Sequence, residues 1–218
     1  MSNILIRLEA ESDHRRTEEV IREAFWNNYA PGADEHYLLC NMRKHPDFIH
    51  ELDFVAEIDG QIVGSIAYTK SFVHNEQTGE RFPTVTFGPI GVLPDFQGMG
   101  VASKLIKHSA DVARELGFSA IIIFGNPSYY GRLGFRSGDR FDLTNAHHEF
   151  CVAMLALPLQ PHSMDNIKGV FHEYDFSVDT TSHEFQEYEA SFPVKEKLED
   201  TENQRVFNVL RTLNYKIK

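Results

Sequence analysis

Only two cysteines stand in the 218 residues, Cys40 and Cys151, and they form no C-x-x-C pair. A disulfide framework and a cysteine metal site are therefore not expected. No apolar run approaches the roughly 18 residues that a membrane span needs. The opening stretch MSNILIRLEAESDHRR holds a short apolar patch and then charges, which is not the layout of a secretory leader. The expectation is a cytoplasmic protein. Internal repeats and low-complexity segments are missing too. Basic residues are scarce: Lys and Arg number 21 against 32 Asp and Glu, a formal net charge of −11. A field of that sign suits neither nucleic acid nor an anionic membrane, and neither partner is expected. An anionic ligand would need a local device such as backbone N–H groups. Cationic substrates, amines included, are favoured.

Hydrophobic residues make up 42% and aromatics 12%, enough for one domain with a sizeable core plus a small appendage. Ile4, Ile6 and Leu8 alternate with other residues as in a strand. Val20, Ile21, Ala24 and Phe25 fall on one helical stripe. EHYLLCNMRKH reads as a second short helix stopped by Pro46. Asp59-Gly60 marks a hairpin between two strands. PTVTFGPIGVL is a strand in which Gly88-Pro89 and Gly91 signal a bulge or a break in pairing. Val101, Leu105, Val112 and Leu116 recur at helical spacing, with Gly117 at the C′ position. SAIIIFG is a short apolar run, the mark of a strand buried on both faces. Strand, glycine turn, helix and buried strand make a right-handed crossover with parallel strands. PSYYGRLGF reads as a short helix and turn, EFCVAMLALPL as a further strand, and VFNVLRTL as a last helix. The fold class is α/β (α+β).

LPDFQGMGVASK then poses the functional question. A helix that starts after a flexible glycine turn offers unpaired N–H groups to an anion. The Rossmann pattern asks for Gly or Ala where Ser103 stands. The P-loop asks for a Gly before the Lys, and Lys104 follows Ser103. A tight strand-to-helix turn with no ligand is the plain structural alternative. A third pattern, Q/R-x-x-G-x-G/A, is met by Gln97-Gly98-Met99-Gly100-Val101-Ala102.

That string resembles the acyl-CoA pyrophosphate loop of the GCN5-related N-acetyltransferases, the GNAT superfamily. GPIGVLPDFQGMGVASKLI resembles the family's fourth strand, loop and third helix. FGNPSYYGRLGF resembles its fifth strand, the helix after it and a Y-x-x-x-G-F ending. The match covers residues 84–136, and NPSYY with the long tail most resembles the YhbS-type predicted acetyltransferases. The resemblance implies the GNAT fold, a mixed central sheet of about six to seven strands flanked by helices. It divides the chain into an acetyltransferase domain over 1–160 and an extension over 161–218 packing on the same domain. It implies acetyl-CoA as cosubstrate, a primary amine as acceptor, direct attack in a ternary complex and no metal. A non-catalytic acyl-CoA-binding module is the alternative, and a homodimer is left open.

The resemblance also assigns roles. Backbone groups of Gln97, Gly98, Met99, Gly100, Val101 and Ala102 ring the pyrophosphate. Ile90, Gly91 and Val92 line the acyl arm, with the Val92 N–H for the oxyanion. Tyr130 is the acid for the leaving thiolate, a phenol of pKa about 10. Asn126 and Ser128 stand near the pantetheine and phosphates, or cap a turn. No carboxylate lies on PTVTFGPIGVL or SAIIIF, so the base is missing; Glu57, His74 or Thr86 through water are the substitutes. His147-His148 point to opposite faces of a strand and make no metal pair. The aromatic and acidic tail is a pocket wall, a dimer contact or a plain addition to the core. Val206, Phe207, Leu210 and Leu213 form a helical stripe expected to bury.

Overall fold

The computed structural model describes residues 3–210 and 212–216. The strands are β1 (Ile4–Leu8), β2 (Phe54–Ile58), β3 (Gln61–Asn75), β4 (Glu80–Val92), β5 (Ala120–Phe124), β6 (Arg136–Ser137), β7 (Leu143–Thr144), β8 (Phe150–Cys151), β9 (Met154–Pro158), β10 (Gly169–His172) and β11 (Asn214–Tyr215). The helices are α1 (His14–Phe25), α2 (Glu35–Met42), α3 (Val101–Glu115), α4 (Pro127–Tyr130), α5 (His183–Glu189) and α6 (Glu202–Leu210). None of the described helices is long and apolar enough to cross a membrane. The chain divides into two compact units. One holds the residues up to Ala67, Gly88–Ile106 and Asp175–Phe207; the other holds Tyr68–Phe87, Lys107–Tyr174 and the residues from Asn208 on.

In the first unit β1, β2 and β3 run antiparallel in that order. The hairpin at Asp59-Gly60 forms as expected, both residues having positive φ (51° and 78°), the twist that suits a two-residue loop. Ile21, Leu39, Met42, Phe48 and Ala67 form one core cluster, and Val20, Val55 and Ile62 another. Gly91 is explained by packing. A β-carbon there would fall 2.7 Å from Ile21 Cδ1 and 3.0 Å from Ala24 Cβ, so α1 lies directly on the strand backbone. β4 is one strand from Glu80 to Val92, and within it the expected irregularity falls at Gly88-Pro89, a cis peptide bond. Its pairing with β5 is at Val85–Ile121, ahead of that bond.

A buried polar network ties this unit together. Arg43 spans both Glu9 oxygens (Nε to Oε2, 2.9 Å; Nη2 to Oε1, 2.7 Å) and donates from Nη1 to Glu18 Oε1 at 2.8 Å. Thr17 Oγ1 also donates to Glu9. Burial pushes Asp53 up to about 9, helped by the hydrogen bond and charge it shares with Glu9. Burial also opposes ionisation of Glu9, but its bonds from Asp53, Arg43 and Thr17 hold it below the usual range. Asp53 therefore carries the proton and Glu9 the charge.

Residues 175–207 return to α1 and α2. Glu189 of α5 accepts from Arg22 Nη2 at 2.5 Å and lies 2.8 Å from His36 Nε2. Arg22 and His36 are buried, at 2% and 0% exposure. Arg15 stacks over Phe192, 3.5 Å from the ring centre. The Glu196 carbonyl accepts from Trp26 Nε1 (2.8 Å) and Asn27 Nδ2 (3.0 Å). The stripe expected to bury on the last helix does so only in part: Phe207 and Leu210 are half-buried, Val206 is 47% exposed, and Leu213, beyond the end of α6, is 45% exposed. Gln204 is buried instead, because its amide reaches the carbonyls of Leu198 (2.9 Å) and Asn27 (3.3 Å). Phe207 stacks on Tyr29 at 4.3 Å.

In the second unit β3, β4, β5, β9 and β6 pair in that order, with β10 on β3 and β7 on β10. β4 and β5 are parallel at Val85–Ile121, and β5 and β9 antiparallel, so the sheet is mixed. The crossover helix ends as its sequence implies. Gly117 takes φ 87°, its N–H reaches Arg114 O at 3.0 Å, and Phe118 N–H reaches Ala113 O at 3.1 Å, a Schellman cap. EFCVAMLALPL yields two strands rather than one. Val152 N–H leaves the run to pair with Leu213 O at 3.0 Å, and the Ala153 carbonyl accepts from Gly125 N–H at 2.8 Å. Leu143, Met154, Ala156, Val73 and Ile122 centre the core here.

Candidate active site

The end of β4 and the start of α3 lie in the first unit. Leu93 N–H donates to Val63 O at 2.8 Å, which holds the chain to the sheet as it leaves the strand. A single 3₁₀ turn, Pro94–Phe96, follows. Gly98 and Gly100 then take φ 75° and 84°. A β-carbon at either would meet nothing within 4 Å, so the left-handed backbone, not crowding, requires glycine. Lys104 N–H finds the Gly100 carbonyl at 3.0 Å. The N–H groups of Val101, Ala102 and Ser103 before it are left over, as at any helix start. Gln97, Gly98, Met99 and Gly100 are exposed, Val101 is buried and Ala102 half-buried. The stretch from Gln97 to Gly100 is thus exposed at the positive end of a 15-residue helix. The Gln97 side chain turns back, its Nε2 donating to Val92 O at 3.1 Å. That bond fixes the loop to the strand end. Ile90 is half-buried; Gly91 and Val92 are buried.

Tyr130 closes α4 in the second unit. Asn126 caps this short helix, its Oδ1 accepting from Ser128 N–H at 2.9 Å, and both residues are exposed. Tyr130 N–H donates to Asn126 O at 3.1 Å, and Tyr130 O accepts from Phe135 N–H at 3.3 Å. Its half-buried ring lies among Phe87 (5.9 Å), Phe135 (5.5 Å) and Tyr129 (4.9 Å). It also lies close against Gly125. A β-carbon there would come within 2.6 Å of Cδ2 and closer still to Cε2. The glycine of the IFGN turn, unremarked in the sequence reading, is what gives the ring its place.

Of the substitutes for a missing base, Glu57 is engaged in an ion pair. Glu57 accepts from Arg7 Nε at 2.8 Å on the β1–β2 pair. Thr86 is buried, at 7% exposure. His74 sits opposite Val170 and borders an open cavity of about 310 Å³ with Glu76, His148, Lys168 and Asp142. Among the described residues no three His, Cys, Asp or Glu side chains gather as metal ligands. Glu35, the first residue of α2, is half-buried. Burial, and then the charge of Asp34, push its carboxyl up to about 7.

Comparison with known proteins places these features in a wider set. A family model described as acetyltransferase (GNAT) family matches residues 18–135. The chain is 27% identical over 160 residues to the uncharacterized N-acetyltransferase YjhQ of Escherichia coli K12, covering 70% of this chain and 84% of that protein. It is 29% identical over 141 residues to the uncharacterized N-acetyltransferase YhbS of the same strain, covering 64% and 78%. Among solved structures, E. coli YhbS in complex with CoA matches with TM-score 0.70 at 24% identity, over 81% of this chain and 92% of that one. A GNAT family acetyltransferase of Brucella melitensis in complex with acetyl-CoA matches with TM-score 0.62 at 25% identity, over 81% and 99%.

Proposed function

The chain belongs to the acetyltransferase (GNAT) family, and on that premise we propose that it is an N-acetyltransferase moving an acetyl group from acetyl-CoA to a primary amine. The observation that carries the proposal is the helix start of α3. Two left-handed glycines open the backbone there, and leftover N–H groups and the helix dipole meet at one exposed point. An acidic protein can hold a pyrophosphate in this way without a basic patch. The CoA- and acetyl-CoA-bound relatives support the choice of ligand.

In this reading Gln97, Gly98, Met99, Gly100, Val101 and Ala102 take the pyrophosphate through their backbone. Ile90, Gly91 and Val92 line the acyl arm, and the Val92 N–H stabilises the oxyanion. Asn126 and Ser128 border the pantetheine. The Tyr130 phenol protonates the departing thiolate. The test is incubation with acetyl-CoA and a panel of primary amines, with free thiol as the readout. Release above hydrolysis with at least one amine is expected, and CoA binding with no turnover would overturn the enzyme reading. Tyr130→Phe should lower kcat about 10²-fold with little change in CoA affinity, the range for loss of a general acid. Full activity in that variant would remove the role.

A further inference from the structure

The end of β4 is packed to backbone contact on both faces, and every group involved belongs to the first unit. On one face lies α1. A β-carbon on Gly91 would fall 2.7 Å from Ile21 Cδ1, 3.0 Å from Ala24 Cβ and 3.5 Å from Ile21 Cα. The last distance reaches the main chain of the helix itself. Successive strand residues point to opposite faces, so Val92 turns the other way. There a β-carbon on Gly64 of β3 would fall 3.3 Å from Val92 Cγ2, 3.1 Å from the Gly91 carbonyl and 3.1 Å from Val101 Cγ1, at the start of α3. Ile21, Val92 and Val101 are all buried.

The returning tail holds α1 in this place. Arg22, next to Ile21, donates to Glu189 and to the Pro193 carbonyl at 3.1 Å. Arg15 donates to Ser191 Oγ at 2.9 Å and to its carbonyl at 2.7 Å. Lys195 pairs with Glu23 at 2.6 Å. Moving α1 off the strand would break these bonds, and a close-packed interior has no spare volume to offer instead.

We infer that Ile21 and Ala24 set the size of the acyl group that is transferred: its end meets α1 beside Gly91, which admits acetyl or propionyl and rejects butyryl and longer chains. The inference rests on the acetyltransferase reading above, in which Gly91 lines the acyl arm. It gives the tail a part in the reaction, since the tail keeps the limiting helix on the strand. The transfer is the same for each donor. The amine nitrogen bonds to the thioester carbon, the C–S bond breaks with its electron pair on sulfur, and the proton lost by the amine ends on that sulfur as free thiol.

The test uses the full chain with acetyl-, propionyl-, butyryl- and hexanoyl-CoA. The acceptors are spermidine, 2-phenylethylamine and a tripeptide with a free N-terminus, and free thiol is read. In the wild type, kcat/KM should fall less than about tenfold from acetyl to propionyl and about 10²-fold or more to butyryl, the range for one methylene too many in a filled pocket. Ile21→Val removes Cδ1, the atom nearest Gly91, and should raise the butyryl-to-acetyl ratio about tenfold, with CoA affinity within about twofold. Ile21→Ala should raise it further. The ratio compares donors on one sample, so a loss of folded protein does not move it. Val20→Ala is the control. Val20 is as buried as Ile21 but clusters with Val55 and Ile62, and its variant should keep the wild-type ratio. Butyryl transfer as fast as acetyl in the wild type, a fixed ratio in Ile21→Val, or an equal shift in Val20→Ala overturns this inference and leaves the enzyme reading standing. No transfer from any donor to any of the amines overturns both.

Discussion

Tyr130 owes its position to the atom that Gly125 lacks. Gly125→Ala would force the ring off the turn, since the added carbon falls within 2.6 Å of Cδ2. A loss of about 1–3 kcal/mol in stability is expected from overpacking, together with a lower kcat. Urea unfolding and thiol release read the two effects. At Asp53 the prediction concerns pH. The folded carboxyl titrates at about 9 and the unfolded one near its ordinary value of 3.8. Between those limits the folded state holds the extra proton, so stability falls as pH rises, by up to about 1.4 kcal/mol per pH unit. Asp53→Asn mimics the protonated form and should flatten that slope. Unfolding free energies at pH 5, 7 and 9 would show it, and an equal slope in both proteins would refute the shared proton.

The elements differ in how far their sequences disclose them. The β4–α3–β5 passage was legible because its signals are local: left-handed glycines, a 3.6-residue stripe and a glycine cap lie within a few residues of what they shape. The start of α3 was legible for the same reason. Elements whose neighbours are distant in sequence were not. The turn inside EFCVAMLALPL exists because Gly125 and Leu213 claim its backbone groups. The α6 stripe misled in part because period alone does not tell which face meets protein, and here an amide, Gln204, is the buried contact. The same remoteness makes α5 consequential. Its Glu189 is the ion-pair partner of the buried Arg22. Glu189→Ala leaves that guanidinium uncompensated and should cost about 3–5 kcal/mol in chemical denaturation. A change below about 0.5 kcal/mol, the level of an ordinary surface site, would mean that the tail does not fasten α1.

For the whole molecule, charge sets the terms of encounter. A net charge of −11 repels an anionic cosubstrate until the α3 terminus is within reach. Salt should therefore speed CoA association, roughly two- to tenfold between low and physiological ionic strength, the reverse of a basic-patch binder. Stopped-flow traces at several salt concentrations would decide, and a fall in rate would point to a cationic entry route. The pairing of Arg22 with Glu189 also bears on how the protein is made. The two residues are 167 positions apart. At ordinary elongation rates of 5–20 residues per second, the ribosome needs roughly 10–30 s to travel from the first to the second. Throughout that interval the nascent α1 has its arginine but not its counter-ion, so the N-terminal helices can reach their final packing only once α5 has emerged.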